Sequence, residues 1–343
     1  MGVKFGRIVY GINSQSPAGF CNLGDWFQTF AVDHLYEEMG IPEEDIVNIS
    51  RHELSSYSGG GGEPVVLPMQ GWFGHLVKGS ELFPISPNIR PVFVGFHCLS
   101  KNVIDLTELK KYQPIGCRDE ATWAFLTKCG VDAYISGCLT VTFPRRTPAE
   151  EGNEVLLIDA DKRVLPFMPE RLLDDAVKLT QEFVVNEQDG NVAERCEKRA
   201  REQLDRIHRA QLVVTSRLHC AGPSIAKGVP VVLAKPYFDQ RYSWIDRYIK
   251  LYTRGEYGKI DWNVEPVDCE EIKTIVLENA KASLLNLPQS NELHRKVHAL
   301  YMNRERSKIH VPWYRQAFSV LHEKFPQTAE IARNILVKKN PYW

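Results

Sequence analysis

The feature that most constrains the fold is the alternation of short apolar strands with helices along most of the chain. Strands are predicted at 5–12, 45–49, 64–69, 91–97, 114–117, 133–136, 154–158, 212–215 and 230–234. Helices are predicted at 25–39, 120–129, 192–209, 219–227, 271–282, 292–302, 313–324 and 328–338. Strands that alternate with helices pair in parallel and are covered by those helices. The sequence therefore predicts an α/β fold with mainly parallel sheets.

The ends of several predicted helices carry residues typical of helix termini. Gly40, Gly130 and Gly228 each follow a helix, and glycine most readily takes the left-handed conformation that closes one. Asp119 directly precedes the helix 120–129, where its carboxylate would accept hydrogen bonds from free backbone N–H groups. These residues predict where three of the α/β units end.

The length of the chain favours more than one hydrophobic core. A chain of 343 residues exceeds the size of an ordinary single domain. The segment 142–152 is rich in proline and charge and interrupts the alternation, which is typical of an interdomain linker. We therefore predict a first Rossmann-like domain over 1–148, a second over 149–288, and C-terminal helices over 289–343 that cross back to the first domain.

The overall charge gives no indication of a nucleic-acid partner, and none is expected. Lys and Arg number 42 against 43 Asp and Glu, for a net charge of −1. The segment 291–343 differs, with 10 Lys and Arg against 4 Asp and Glu, an excess of +6. A basic segment that also holds aromatic residues suits an anionic membrane surface or acceptor. The alternative is an ordinary solvated helix face.

The eight cysteines are scattered, and none belongs to a C-x-x-C pair. Zinc sites require closely spaced ligands, so no metal site is expected. No apolar run approaches the roughly 18 residues needed to span a membrane. The N-terminus lacks the apolar stretch of a secretory signal. A reducing cytoplasm is the expected location.

The segment Ser216-Arg217-Leu218-His219 is the strongest candidate for a binding site. It joins the predicted strand 212–215 to a helix, and ligands of open α/β sheets bind at such strand-to-helix turns. The free N–H groups at a helix N-terminus attract anions. Ser216 adds a hydroxyl donor, Arg217 a planar fork for phosphate or carboxylate, and His219 a group that exchanges protons near neutral pH. The alternative is that Arg217 pairs with an internal carboxylate and His219 caps the helix.

Other polar residues stand at the ends of predicted strands, where they would meet the same cleft. Asn22, Gly24 and Asp25 open the first long helix, although a capping role would also explain Asp25. Four further candidates follow strands of the first domain, with an ion pair, a core histidine or loop hydrogen bonds as the alternatives. These four are His97, Arg118, Ser136 and Thr140.

Taken together, these motifs make the chain resemble the polysaccharide pyruvyl transferase family. They occur in the order of the family and spread over roughly residues 20 to 220, covering both predicted domains. The matching segments are Asn22-x-Gly24-Asp25, Gly116-x-Arg118-Asp119-x-x-Thr122, Ser136-Gly-Cys-Leu-Thr140 and Ser216-Arg-Leu-His219. The segments Gln70-Gly71-Trp72-Phe73 and 87–97 resemble those of bacterial exopolysaccharide and capsule members.

The resemblance implies two Rossmann-like domains facing a cleft, similar to B-type glycosyltransferases, with C-terminal helices packing back. It implies transfer of the pyruvyl group of phosphoenolpyruvate to a sugar, forming a 4,6-ketal on a galactose-type residue of an undecaprenyl-linked acceptor. Such an acceptor would bring the basic C-terminal segment to the cytoplasmic face of the inner membrane. Phosphoenolpyruvate is a co-substrate, and no cofactor or metal is expected.

The resemblance also suggests a role for each candidate residue. The donor would be held by a set of five residues, comprising Arg118, Ser136, Thr140, Ser216 and Arg217. Arg217 and His219 are the catalytic candidates, and His219 either transfers a proton or binds the phosphate. Asn22, Asp25 and His97 would contact the acceptor. The alternatives are a glycosyltransferase that uses a nucleotide sugar, since one fold hosts many functions, and a non-catalytic binding relative.

Overall fold

The structure, a computed structural model, describes residues 3–10, 20–59, 62–73, 82–99, 104–184 and 191–305. The predicted helices 313–324 and 328–338 lie outside these ranges. The strands are β1 (Phe5–Val9), β2 (Phe20–Asn22), β3 (Ile46–Ser50), β4 (Val65–Pro68), β5 (Gly71–Trp72), β6 (Ile89–Val92), β7 (Phe96–His97), β8 (Ile115–Cys117), β9 (Ala133–Ile135), β10 (Val155–Ile158), β11 (Val177–Leu179), β12 (Glu182–Val184), β13 (Leu212–Thr215), β14 (Val231–Ala234) and β15 (Leu251–Tyr252).

The α-helices pack against these strands or join them. They are α1 (Leu23–Glu38), α2 (Leu106–Leu109), α3 (Glu120–Lys128), α4 (Glu170–Leu173), α5 (Val192–Arg209), α6 (Leu218–Ala226), α7 (Glu270–Leu284) and α8 (Ser290–Asn303). All pairings within the three larger sheets are parallel. The predicted α/β class with mainly parallel sheets is therefore confirmed.

The first half of the chain contains two parallel sheets in the orders β3-β1-β4-β6 and β5-β7-β8-β9. The pairing of β4 with β6 continues after a break as the pairing of β5 with β7. The prediction of one strand over 91–97 is wrong, because the chain forms β6 and β7 with an interruption at Gly95. Gly95 takes a positive φ of 71°, which ordinary strand geometry does not allow.

The second half forms a five-stranded sheet in the order β11-β10-β13-β14-β15. Strand order reverses between β10 and β13, because the chain first adds β11 on one side of β10 and then β13 on the other. In open parallel sheets a crevice forms at such a reversal, outside the carboxyl ends of the two strands. This topology places the residues after β10 and β13 side by side at one edge of the sheet.

A short antiparallel ribbon joins the two halves. Strand β2 precedes α1 in the first half, and it pairs with β12 of the second half, with Asn22 opposite Glu182. The backbone N–H of Leu23 donates to the carbonyl of Gln181 at 2.8 Å, which extends the ribbon to the start of α1. The N-terminus of α1 is therefore fixed against the second half.

Helix α1 lies in the interior and contacts both halves. It contacts β1 on one side and α5 and α6 on the other. Eleven of its 16 residues are buried, so a helix of this kind has no broad solvent face. The predicted closing glycine, Gly40, has a φ of 68° as expected.

Helices α7 and α8 return to the first half of the molecule, and α8 is the member of the predicted C-terminal helices over 289–343 that lies within the described residues. Helix α7 contacts α1 and β4, and α8 contacts β9. The fully buried Tyr301 of α8 lies against Gly137, leaving no room there for a Cβ atom. A side chain at Gly137 would also be strained by its φ of 77°. These contacts hold the loop after β9 in place.

Candidate active site

A cavity of about 560 Å³ lies between the two halves of the chain. It lies at the reversal of strand order between β10 and β13, in the five-stranded sheet of the second half. The N-terminus of α1 and the ends of β5 and β8 form its other wall. The lining residues are Asn22, Gly24, Asp25, Trp72, Arg118, Asp159, Ala160, Gln181, Glu182, Ser216, Arg217, Leu218, His219, Lys235, Arg241 and Tyr242. The cavity therefore brings together six of the nine candidate site residues predicted from the sequence.

Arg118 provides the most unusual group of this cavity. Its side chain is only 1% exposed. Among the described residues, its Nε and Nη2 atoms have no hydrogen-bond partner, and Nη1 lies 3.5 Å from Nε2 of His219. A buried guanidinium with unmet donors is unfavourable by several kcal/mol unless an anion satisfies it. Arg118 therefore indicates an anion site.

A buried group of side chains holds Arg118 from behind. Asp119 Oδ2 lies 3.5 Å from Nε of Arg118 and 2.5 Å from Nδ1 of His97. Its Oδ1 accepts from the backbone N–H and the hydroxyl of Thr122, both at 2.9 Å, which confirms Asp119 as the N-cap of α3. Burial raises the pKa of Asp119, but His97 and Arg118 outweigh it, so the pKa lies below its ordinary value. Asp119 therefore remains ionised.

His97 does not line the cavity, and the prediction that it contacts the acceptor is not supported by its position. It is 2% exposed, and its Nδ1 contacts Asp119 and the hydroxyl of Thr122. Burial and the neighbouring Arg118 lower its pKa, with Asp119 opposing them. The end of β7 directs His97 into the interior, where it positions Asp119.

Arg217 faces the same cavity from the second half, but its guanidinium already has two anionic partners. Its Nε donates to Oδ2 of Asp159 at 2.9 Å, and its Nη2 lies 2.6 Å from Oε1 of Glu182. Burial alone would lower the pKa of Arg217, but the two carboxylates raise it. The internal carboxylate partner that was the alternative interpretation of Arg217 is therefore present.

Asp159 stands at the carboxyl end of β10 and organises this wall. Its φ of 46° is left-handed, which is uncommon for a residue other than glycine. In this conformation its carboxylate reaches both Arg217 and the backbone N–H of Gln181, and its carbonyl accepts from the Ser216 hydroxyl at 2.6 Å. The hydroxyl of Tyr242 donates to the carbonyl of Ser216 at 2.7 Å. Backbone strain at such a position is typical of functional sites.

His219 sits where the two walls meet. Its backbone departs from helical geometry, with ψ of 17° inside α6. Gly24 approaches it so closely that an added Cβ would lie 3.2 Å from Cβ of His219. Burial, followed by the charges of Arg118 and Arg241, lowers the pKa of His219 well below its ordinary value. The imidazole is therefore neutral at neutral pH in the free protein.

The start of α1 contributes a carboxyl group and an amide to the cavity. Asn22 caps the helix, since its Oδ1 accepts from the backbone N–H of Gly24 at 3.1 Å. Asp25 lies in the first turn, with its Oδ2 3.8 Å from Nη1 of Arg51. Burial raises the pKa of the Asp25 carboxyl against the opposing charges of Arg51 and Arg118. Both residues line the cavity, as the sequence predicted.

Ser136 and Thr140, predicted as donor ligands, face the interior and are not among the residues that line the cavity. The hydroxyl of Ser136 accepts from the backbone N–H of Gly95 at 2.8 Å and donates to the carbonyl of Cys117 at 3.1 Å. Thr140 is fully buried, and its Oγ1 lies 2.9 Å from where a Cβ on Gly222 of α6 would be. The loop after β9 turns these hydroxyls toward the protein core, so they support the site without lining it.

Lys235 and Arg241 line the cavity but were not predicted from the sequence, and Trp72 was quoted within a motif without a role in the site. The guanidinium of Arg241 is paired with both carboxylate oxygens of Asp239 and lies 5.1 Å from the centre of the Trp72 ring. Lys235 follows β14 directly, so the rule that ligands meet strand ends would have found it. Trp72 is 37% exposed, and it brings an aromatic surface to the cavity. Nothing in the local sequence indicates that Arg241 lines the cavity, and only the tertiary structure places it there.

The charges around the cavity favour an anionic ligand. Four cations line it, namely Arg118, Arg217, Lys235 and Arg241, against the three carboxylates of Asp25, Asp159 and Glu182. No group of three or more His, Cys, Asp or Glu side chains able to hold a metal occurs within the described ranges. Nor does any helix in that part of the chain have the length and apolarity needed to cross a membrane.

The fold and this cavity define an α/β protein with a cationic crevice between two parallel-sheet halves. The family model of the polysaccharide pyruvyl transferases matches residues 22–234, which is more than half of the chain and includes 13 of the 16 residues that line the cavity. The chain therefore belongs to the polysaccharide pyruvyl transferase family, as its motifs predicted.

Other comparisons give more distant similarities. An uncharacterised protein from Klebsiella pneumoniae is 14% identical, with coverage of 69% of this chain and 86% of that chain and a TM-score of 0.38. A putative UDP-N-acetylglucosamine 2-epimerase from Listeria monocytogenes is 10% identical, with coverage of 90% and 100% and a TM-score of 0.41. The S. aureus MnaA–UDP complex is 10% identical, with coverage of 95% and 98% and a TM-score of 0.36. No curated protein matches significantly.

Proposed function

We propose that this protein transfers the pyruvyl group of phosphoenolpyruvate to a sugar and forms a cyclic ketal, in bacterial exopolysaccharide or capsule synthesis. The observation that carries the proposal is the buried, unsatisfied guanidinium of Arg118 beside His219 in a cationic cavity. Membership of the family supports the transferase class. Phosphoenolpyruvate fits because it presents a phosphate and a carboxylate, the two anions that an arginine fork binds best.

In the proposed arrangement the donor bridges the two walls of the cavity. Arg118 of the first half and Arg217 of the second hold its two anionic groups, and Ser216 stands at the start of α6 beside them. Negative charge on the bound donor would raise the pKa of the neutral His219 and so favour uptake of a proton. His219 would therefore become an acid as a consequence of donor binding.

The proposed reaction conserves atoms and charge without an oxidant. A proton is added to the methylene carbon of phosphoenolpyruvate, and the first sugar hydroxyl bonds to C2. The C2–O bond to phosphate breaks, and the second hydroxyl of the same sugar bonds to C2. Of the two hydroxyl protons, one replaces the proton taken up by the carbon and the other leaves with phosphate. A correctly placed acid or base contributes about 10²- to 10⁴-fold to such a step.

The first-half residues Asn22 and Asp25 are proposed to face the acceptor. Amide and carboxyl groups recognise sugar hydroxyls by paired hydrogen bonds. The raised pKa of Asp25 lets it keep a proton at a higher pH than a surface aspartate would. A galactose-type residue on an undecaprenyl-linked carrier is the proposed acceptor, handled at the cytoplasmic face of the membrane, with no metal or cofactor assigned.

Binding and turnover measurements test this proposal. Titration calorimetry with phosphoenolpyruvate should show saturable binding, and release of inorganic phosphate should require an added acceptor from a panel of lipid-linked galactosides. Binding of UDP-galactose without binding of phosphoenolpyruvate would instead identify a nucleotide-sugar glycosyltransferase. Donor binding that is never followed by phosphate release with any galactoside would refute the proposed acceptor class.

A further inference from the structure

Two carboxylates contact Arg217, and they differ in how firmly they are held. Asp159 is 17% exposed, and its carboxylate also accepts from the backbone N–H of Gln181 at 2.9 Å. Glu182 is 45% exposed, and its longer side chain reaches Arg217 from the ribbon strand β12. A half-exposed glutamate exchanges its ion pair for water at little cost, whereas the less exposed Asp159, which also holds a backbone N–H, exchanges it less readily.

The two carboxylates contact different nitrogens of the guanidinium, Nε and Nη2, which together form its side-on edge. Asp159 accepts from Nε, the nitrogen nearest the chain, while Glu182 Oε1 contacts Nη2 at the tip. A carboxylate that binds in the plane of the fork uses Nη2 in either mode, with Nε side-on or with Nη1 end-on, and Asp159 on Nε leaves the end-on mode open. Asp159 can therefore stay in place while a ligand binds Arg217, but Glu182 occupies an atom that the ligand requires.

Glu182 and an anionic donor cannot share this end of the cavity. Both would carry negative charge within reach of the same Nη2 atom, and like charges at that distance repel each other. Asp159 already balances the charge of Arg217, so the group formed by Arg217, Asp159 and Glu182 carries a net charge of −1. Donor binding at Arg217 therefore requires the Glu182 side chain to move away.

We propose, on the basis of the proposed function, that the Glu182 carboxylate is an internal stand-in for the carboxylate of the donor on Arg217. The donor displaces it by matching its chemistry, carboxylate for carboxylate. The donor phosphate is thereby directed to the other wall, where Arg118 has unmet donors beside His219. Glu182 thus orients the donor in the cavity and keeps Arg217 satisfied while the cavity is empty.

Calorimetric titration of Glu182→Gln and Glu182→Ala with three probes tests this inference. Phosphoenolpyruvate and pyruvate both carry the carboxylate, and their dissociation constants should fall about two- to fivefold, the range expected when a half-exposed ion pair no longer competes. Inorganic phosphate lacks the carboxylate, and its dissociation constant should change less than twofold. Arg217→Ala should weaken pyruvate strongly and inorganic phosphate little.

A matched control is Glu154→Gln. Glu154 is 44% exposed and lies 2.7 Å from Nη2 of Arg206, so it resembles Glu182 in exposure and partner but lies away from the cavity. This variant should leave all three dissociation constants unchanged. Thermal unfolding of each variant checks that the fold is kept.

The possible outcomes separate the inference from the proposed function. Weaker or unchanged phosphoenolpyruvate binding in both Glu182 variants would overturn the stand-in role, because Glu182 would then only support Arg217. An equal gain for inorganic phosphate would overturn the orientation, placing the phosphate on Arg217. If neither wild type nor Glu182→Gln binds phosphoenolpyruvate at all, the proposed function fails and the inference fails with it.

Discussion

Arg118 and Arg217 line the same cavity from opposite halves, yet their surroundings are very different. Arg118 is 1% exposed and keeps two nitrogens without a hydrogen-bond partner in the described structure, whereas Arg217 is 32% exposed and touches two carboxylates. An unsatisfied buried charge destabilises the folded state. The wall of the first half therefore has unsatisfied donors on Arg118 that an anion could fill. On the wall of the second half Arg217 is already paired, so an incoming anion must replace one of its carboxylate partners.

The largest expected effect comes from removing the unsatisfied charge. Arg118→Met should weaken phosphoenolpyruvate binding by more than about 100-fold, since loss of one partner of a buried charged contact costs about 2–5 kcal/mol. The same variant should change the unfolding temperature little, because it removes the unmet donors of a buried charge together with its 3.5 Å contact to Asp119. Titration calorimetry measures the change in binding, and thermal unfolding monitored by circular dichroism measures the change in stability.

Arg146→Met is the matched control for Arg118. Arg146 is also buried, but its Nη1 donates to the carbonyl of Ala210 at 2.6 Å and it lies away from the cavity. Its loss should lower stability by about 2 kcal/mol and leave binding intact. A drop in the stability of Arg118→Met similar to that of Arg146→Met would remove the contrast between the two arginines.

The second largest expected effect concerns Asp159, the less exposed of the two carboxylate partners of Arg217. Asp159→Asn should weaken phosphoenolpyruvate binding about tenfold, because a charge-assisted hydrogen bond contributes about 1.5–3 kcal/mol to holding the guanidinium. Asp159→Gly should weaken it at least as much while keeping the unfolding temperature, since glycine adopts the φ of 46° without strain. Tighter binding in either variant would show that Asp159 competes with the donor as Glu182 does.

A smaller effect follows from the neutral His219 beside Arg118. The pKa of His219 is lowered in the folded state, so between that value and the unfolded value near 6.5 only the unfolded chain binds the proton. Stability present above pH 6.5 should therefore fall by about 1 kcal/mol per pH unit below it. Urea unfolding at pH 7.5 and 5.5 should show a shallower loss in His219→Gln, and equal slopes would argue against this.

The smallest expected effect belongs to His97, which touches neither wall of the cavity. Without His97, the Asp119 carboxylate is free to move closer to Arg118 and to accept hydrogen bonds from donors of Arg118 that are otherwise unsatisfied. His97→Ala should therefore weaken phosphoenolpyruvate binding about threefold to fivefold, or about 1 kcal/mol. His294→Gln, at a partly buried histidine stacked on Tyr134 away from the cavity, should leave binding unchanged. A loss as large as that of Arg118→Met would place His97 in direct contact with the ligand.

Local sequence signals were sufficient for most of the elements that carry the site. The helix over 192–209 and the strand over 212–215 have the predicted bounds, and Asp119 caps α3 as its position indicated. Five strands of two or three residues were missed, namely β2, β5, β11, β12 and β15. Such short strands form only when a partner strand is already present, so they carry no periodic signal.

For the candidate site too, the sequence predicted some features and only the tertiary structure showed the others. The sequence alone determined that Arg118, Arg217 and His219 stand at strand-to-helix turns, because the alternating pattern fixes where parallel strands end. Only the tertiary structure decided which of the two arginines is satisfied, since Asp159 and Glu182 are 58 and 35 residues from Arg217 in one direction along the chain. It also turned Ser136, Thr140 and His97 toward the interior. Side-chain partners depend on contacts between distant segments, and local patterns do not encode those contacts.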